Sequence, residues 1–154
     1  MSKKELIIRK NISTTLYLII AIISLILGSL YLFRNEFMGY HAAALQQSWP
    51  QLDLNLQVLI KALMIVAGAG WISLGIAILF ILLGAFRTNI KWSGFAIPIL
   101  ILVFYVPTLI ATLTVLNNTP STPPWYGNAI ACCIAVLSFL IYNPSTMKKS
   151  ITYE

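Results

Sequence analysis

The sequence predicts an all-α integral membrane protein, a four-helix bundle with an amphipathic interfacial helix between the first and second helices. Three observations predict it. Of 154 residues, 59% are apolar and only 9% charged, a balance suited to lipid rather than water as the surrounding solvent. Four uncharged runs, Ile12–Phe33, Ala62–Phe86, Trp92–Leu116 and Trp125–Tyr142, hold 22, 25, 25 and 18 residues, against the roughly 20 needed to cross a hydrocarbon core of about 30 Å. The basic residues, finally, sit at the ends of these runs. Lys3, Lys4, Arg9, Lys10, Arg87, Lys91, Lys148 and Lys149 fall in the N-terminus, the second connector and the C-terminus, leaving Arg34 and Lys61 for the other two connectors. By the positive-inside rule both termini are then cytoplasmic.

The same charge placement excludes other classes. A net charge of +6 without basic residues clustered among aromatics does not make a nucleic-acid surface. No carboxylate stands in the four apolar runs, which argues against a proton-driven pump, and no phosphate-binding loop is present for a nucleotide-driven one. A cleaved signal peptide is a poor description of the first run, which is too long and has Arg34 and Glu36 before the small residues Ala42, Ala43 and Ala44. Residues 1–154 are one membrane domain with spans at 12–33, 57–86, 92–116 and 125–142. Short loops and the lack of a soluble domain suit a bacterial inner membrane.

In the first span Thr14, Tyr17, Ala21, Ser24, Gly28 and Tyr31 recur at steps of three and four, giving a small or hydroxylated face suited to close helix packing. The connector that follows is the main polar stretch of the chain. Within it Met38, Ala42, Leu45 and Trp49 share one side of a helix, predicting an interfacial helix over 37–49 with its apolar stripe on the membrane and Pro50 as its end. Asp53 is the expected N-cap of the next helix, which starts near Leu54. Lys61 then lies about 10 Å into that helix, either snorkelling to the headgroups or facing a polar pocket. Gly68, Trp71 and Gly75 share a face; the Gly68-Ala69-Gly70 run lacks the strand and turn of a nucleotide loop and reads as helix packing.

Arg87–Lys91 is a tight turn, so the second and third helices are expected to be adjacent and antiparallel. In the third span Tyr105, Thr108 and Thr112 align beside Pro98 and Pro107, which interrupt the hydrogen-bond ladder and predict a kink. That hydroxylated face either borders a cavity or packs on a neighbour. Asn117–Pro124 is a proline-rich loop entering the aromatic anchor Trp125-Tyr126-Gly127-Asn128. On the fourth span Gly127, Ala131, Ala135, Ser138 and Tyr142 form a packing stripe, and Asn143-Pro144 ends it. Cys132 and Cys133, being adjacent, point about 100° apart on a helix; they read as small fillers or, alternatively, a redox pair.

The polar residues that converge on the outer side are Arg34, Glu36, Tyr40, His41, Lys61, Trp125, Tyr126 and Asn128, and these are the candidate binding residues. His41 is the only histidine and has the one side chain that ordinarily titrates near neutrality; Glu36 lies within one and a half helical turns of it. One His and one Glu are too few for a zinc site, and no nucleophile stands beside them, so the sequence assigns no catalytic residue, metal or cofactor. An interfacial helix folded over the mouth of the bundle makes a lid on an apolar pocket, the usual form of a small-molecule site. Its ligand would be an amphipath such as a quinone or a lipid.

The RNEFMGYH connector after the first helix and the Gly68-Ala69-Gly70-Trp71 run, on four spans with a cytoplasmic N-terminus, resemble the small bacterial DoxX-like membrane proteins. That resemblance implies a quinone or thiol redox association. Cys132-Cys133 departs from a Cys-x-x-Cys redox motif, and no functional residue of that family is carried onto this chain. The expected function is a non-enzymatic membrane protein that binds a lipid-like or quinone-like molecule, a partner subunit or a second copy through its outer face. The alternative is a membrane-embedded redox or isoprenoid-processing enzyme with His41, Glu36, Arg34 and Lys61 at the outer mouth.

Overall fold

Ser2 sets the start of the first helix: its Oγ accepts from the Glu5 N–H at 3.2 Å while its own N–H donates to the Glu5 carboxylate at 2.9 Å, a reciprocal capping box. In the computed structural model, which describes residues 2–142, the helices are α1 (Lys3–Phe33), α2 (Gly39–Leu45), α3 (Leu54–Phe80), α4 (Ser93–Asn118) and α5 (Trp125–Ile141). No strand occurs among the described residues. Asn143, Pro144, Lys148 and Lys149 lie outside them. Asp53 caps α3 as expected, its Oδ1 accepting from the Leu56 N–H at 2.9 Å. Three helical stretches are long and apolar enough to cross a membrane, Lys4–Phe33, Leu54–Phe86 and Ser93–Asn118; the apolar α5 is shorter, at 17 residues or about 26 Å.

The connector corrects the expectation of one helix over 37–49. Only Gly39–Leu45 is helical, and Gln46, at φ 54°, closes it in the left-handed region. Pro50 does not end α2 but sits in a separate 3-10 turn, Trp49–Gln51. The reason is tertiary. Instead of extending one stripe with Met38 and Leu45, Trp49 folds back edge-on against Phe37, ring centroids 5.1 Å apart, and helps bury Phe37, Leu52 and Met64 in a small core of their own. Packing on α3 outweighs the helical spacing.

A larger core joins α1, α3, α4 and α5. The small-residue face of α1 turns into it, with Tyr17, Ala21, Ser24 and Gly28 buried and Thr14 and Tyr31 half-buried. The closest approach is between α1 and α3. A methyl group on Gly28 would stand 2.8 Å from the Gly68 carbonyl oxygen, and one on Gly68 would stand 2.8 Å from both the Gly28 carbonyl oxygen and the Leu32 nitrogen. The two backbones therefore touch where both side chains are missing, the small-residue mode of helix packing. The sequence marked both small-residue faces for packing, and the structure pairs them with each other.

At its far end α3 widens into a π-helical turn, Ile81–Phe86, and Asn89, at φ 61°, reverses the chain. Lys10 of α1 clamps this turn, donating to the Arg87 carbonyl at 2.8 Å and the Asn89 side chain at 2.7 Å, and the Tyr142 hydroxyl reaches Asn89 at 3.3 Å. The expectation that α3 and α4 lie side by side holds only near the turn and at Trp71, whose ring meets Phe104 at 4.7 Å and Tyr105 at 4.9 Å. Otherwise α4 packs on α5, and α5 closes against α1 through the Ser13 hydroxyl and the Ser138 carbonyl at 2.9 Å. α4 runs without a break through Pro98 and Pro107.

Gly68→Ala is expected to destabilise the fold by about 1–3 kcal/mol, because the methyl meets backbone that cannot swing aside. Gly84→Ala, with nothing within 4 Å of the added carbon, is the control and should be neutral or slightly stabilising. Thermal unfolding midpoints of the two variants in detergent measure the difference.

Candidate functional site

The uneven packing leaves a cavity of about 640 Å³. Its floor is the aromatic contact of Trp71, Phe104 and Tyr105, and the Tyr105 hydroxyl is held there by Ser24 at 3.1 Å. Its walls are Ile20, Ile23 and Leu27 of α1, Thr108, Ala111, Thr112 and Val115 of α4, and Ile130, Ala131 and Ile134 of α5. From Ile20 to Tyr31 this is a depth of about 16 Å along α1. The roof is Tyr31, Tyr40, His41, Pro123 and Pro124.

The roof is lashed down by hydrogen bonds rather than by a continuous helix. The Ser121 hydroxyl of the α4–α5 loop donates to the Tyr40 carbonyl at 2.6 Å, and the Tyr31 and Tyr40 hydroxyls bond to each other. Gln57 of α3 donates to the carbonyls of Trp49 and Leu52 at 3.1 and 3.0 Å. Lys61 donates to the carbonyl of Arg34, the C-cap of α1, where unpaired helix carbonyls and the helix dipole favour a cation.

The eight candidate residues divide accordingly. Tyr40, His41, Tyr126 and Asn128 line the cavity. Arg34 and Glu36 are exposed, and Arg34 borders an open groove on the outer flank of α1 with Leu25, Ile26, Ser29, Leu30 and Phe33. Lys61 does not line the cavity; its ammonium reaches the exposed end of α1 at the Arg34 carbonyl. Trp125 is exposed beside Tyr126, 6.3 Å between rings. Tyr31, Thr108 and Thr112 belong to the site although only packing or an undecided role was read for them. Their signal was the helical spacing of hydroxyls, Thr108 and Thr112 four apart below Tyr105.

The polar atoms are arranged in a definite order. Thr108 donates to the Phe104 carbonyl at 2.7 Å and Thr112 to the Thr108 carbonyl at 3.0 Å, so the hydroxyl protons are spent inside α4 and the oxygens are left as acceptors. The Thr112 oxygen accepts from the Asn128 amide at 3.3 Å. The His41 Nδ1 accepts from the Met38 N–H at 3.2 Å, which fixes the proton on Nε2. Burial pushes the imidazole below its ordinary value near 6.5, favouring the neutral ring. Burial and the bond to Tyr31 keep the Tyr40 phenol protonated. Cys132 is half-buried and Cys133 exposed, both as free thiols, and no cluster among the described residues has the ligands to hold a metal ion. Such a chamber can enclose an apolar tail and hydrogen-bond a head at the roof.

His41 makes stability pH-dependent with a definite sign. A histidine whose pKa is lower folded than unfolded binds fewer protons in the native state, so stability rises with pH through that window. Its contribution is lost as pH falls below about 6.5. The thermal midpoint should drop more steeply between pH 7 and 5 in the native protein than in His41→Phe.

No family model matches the chain, and no curated protein or solved structure is significantly similar to it.

Proposed function

We propose that the chain is a four-span membrane protein of the bacterial inner membrane, with both termini cytoplasmic, that holds a lipid-like amphipath in the chamber beneath the α2 lid. α1, α3, α4 and α5 form the four-helix bundle, and α5 makes the fourth crossing with Trp125 and Tyr126 at the interface. The observation that carries this reading is the chamber itself. Apolar walls run toward the middle of the helices, the deep hydroxyls of Tyr105, Thr108 and Thr112 are engaged within the protein, and Tyr31, Tyr40, His41 and Asn128 stand at the upper end; its volume is in the range of sites for small organic ligands. The exposed faces support the membrane setting: Phe33, Leu54, Val66, Phe80 and Val103 are each more than two-thirds exposed, a greasy exterior that water would penalise.

The DoxX-like resemblance stays a proposal of the same kind. Against the alternative of a redox or isoprenoid-processing enzyme stands the scatter of its machinery: Arg34, Glu36 and Lys61 do not line the chamber that His41 lines.

Two measurements test the reading. The protein should remain in the pellet after alkaline carbonate extraction of membranes, and release into the soluble fraction would remove the membrane premise. Solvent extraction and mass spectrometry of the purified protein should recover an amphipath at up to one per chain. Ala111→Trp, which fills the chamber, should lower that recovery at least tenfold without lowering the yield of folded protein. Equal recovery from both would sink the chamber as the site.

A further inference from the structure

Resting on that reading of the chamber, we propose that its occupant carries an uncharged head with carbonyl oxygens, as a quinone ring or a glycerol ester does, and that anionic heads are rejected.

Among the described residues, no Lys, Arg, Asp or Glu lines the chamber. The two cations nearest in sequence are placed elsewhere, Lys61 on the end of α1 and Arg34 toward the outer groove. A phosphate or carboxylate drawn under the roof would lose its water with no opposite charge in return, which is strongly unfavourable in a medium of low polarity. The single ionisable ring that would help an anion, His41, has its Nδ1 occupied by a donor, which favours the neutral form.

Among the groups that remain at the upper end are three donors with no charge. With Nδ1 bonded to Met38, the polar atom His41 has left is Nε2–H. The Tyr31–Tyr40 pair uses one hydroxyl proton between its two oxygens, so the other is left for a third partner. Asn128 is 7% exposed and spends one amide N–H on Thr112, leaving its second N–H and its carbonyl. A buried amide with unspent valence is costly unless something pairs with it. Three neutral donors around the upper end of an apolar chamber suit carbonyl oxygens, which accept without needing a counter-ion. The tail has its own route: Ile23 on α1 and Ile130 on α5 both line the chamber and are about half exposed, an apolar margin where a chain can lie against both helices.

The test uses the full chain in a neutral detergent with three probes, decylubiquinone, dioctanoylglycerol and dioctanoyl phosphatidylglycerol, with binding followed by native mass spectrometry. At least one of the two uncharged carbonyl probes should bind tenfold or more tightly than phosphatidylglycerol; which one binds identifies the head as quinone or glycerol ester. His41→Phe and Asn128→Leu should each weaken that probe about tenfold, with an unchanged melting midpoint at pH 7.5 showing that the fold is kept. If Asn128→Leu does not fold, His41→Phe decides alone. Phosphatidylglycerol bound as tightly as the uncharged probes, or uncharged probes unaffected by the folded variants, overturns the neutral-carbonyl assignment and leaves the amphipath site standing. Binding of none of the three removes the site and the assignment together.

Discussion

The structure depends on one contact, the backbone of α1 lying directly on the backbone of α3 where Gly28 meets Gly68. The outer faces of these helices are at least as apolar as the inner ones, so transfer of greasy surface from water does not choose which face turns inward. Close packing has to make that choice. Two glycines opposite one another let main-chain atoms approach to distances that no side chain permits, and Gly75, one step further along α3 against Ala21 and Leu25, continues the same seam. The α1–α3 pair is thereby fixed in rotation and depth.

Fixing that pair also fixes where Trp71 points. It lies between Gly68 and Gly75 on the packed face, and its indole reaches Phe104 and Tyr105 of α4. A large ring there acts as a prop: α4 is held off α3 on the lid side of the ring and leans on α5. The bundle is tight along one seam and propped open along another, and the chamber is the difference. The hydroxyls of Thr108 and Thr112 border it because α4 presents that face to the gap, with their protons turned back to α4 carbonyls so that no unpaired donor is exposed to the apolar walls.

The lid closes the chamber with neutral groups, and its frame is held from α3. Lys61 holds the end of α1, and Gln57 holds the 3-10 turn. Placing a cation at helix carbonyls and keeping uncharged donors over the chamber follows one rule: a charge is tolerable only where water or an oriented dipole compensates it. The fixed tautomer of His41 belongs to the same arrangement.

Much of this was legible in the chain alone. Long uncharged runs at this length favour helices that satisfy their own backbone, so the Asp53 cap, the start of α3, the buried face of α1 and, except for the exposed Gly127, the buried stripe of α5 followed from composition and spacing. Tyr40 and His41 of the first connector and Tyr126 and Asn128 at the start of the last apolar run were read as polar residues of one side of the bundle, and all four line the chamber. The length of α2 and the placing of Arg34, Glu36 and Lys61 were not legible. Helical spacing cannot register that Trp49 gains more by folding onto Phe37 than by extending α2, and a charged residue beside a span looks the same whether it serves a site or a helix end. The chamber itself was decided only by tertiary structure, because it arises from a mismatch between two seams, a glycine contact on one flank and an indole prop on the other, and no local pattern records the distance between helices that such a pair imposes.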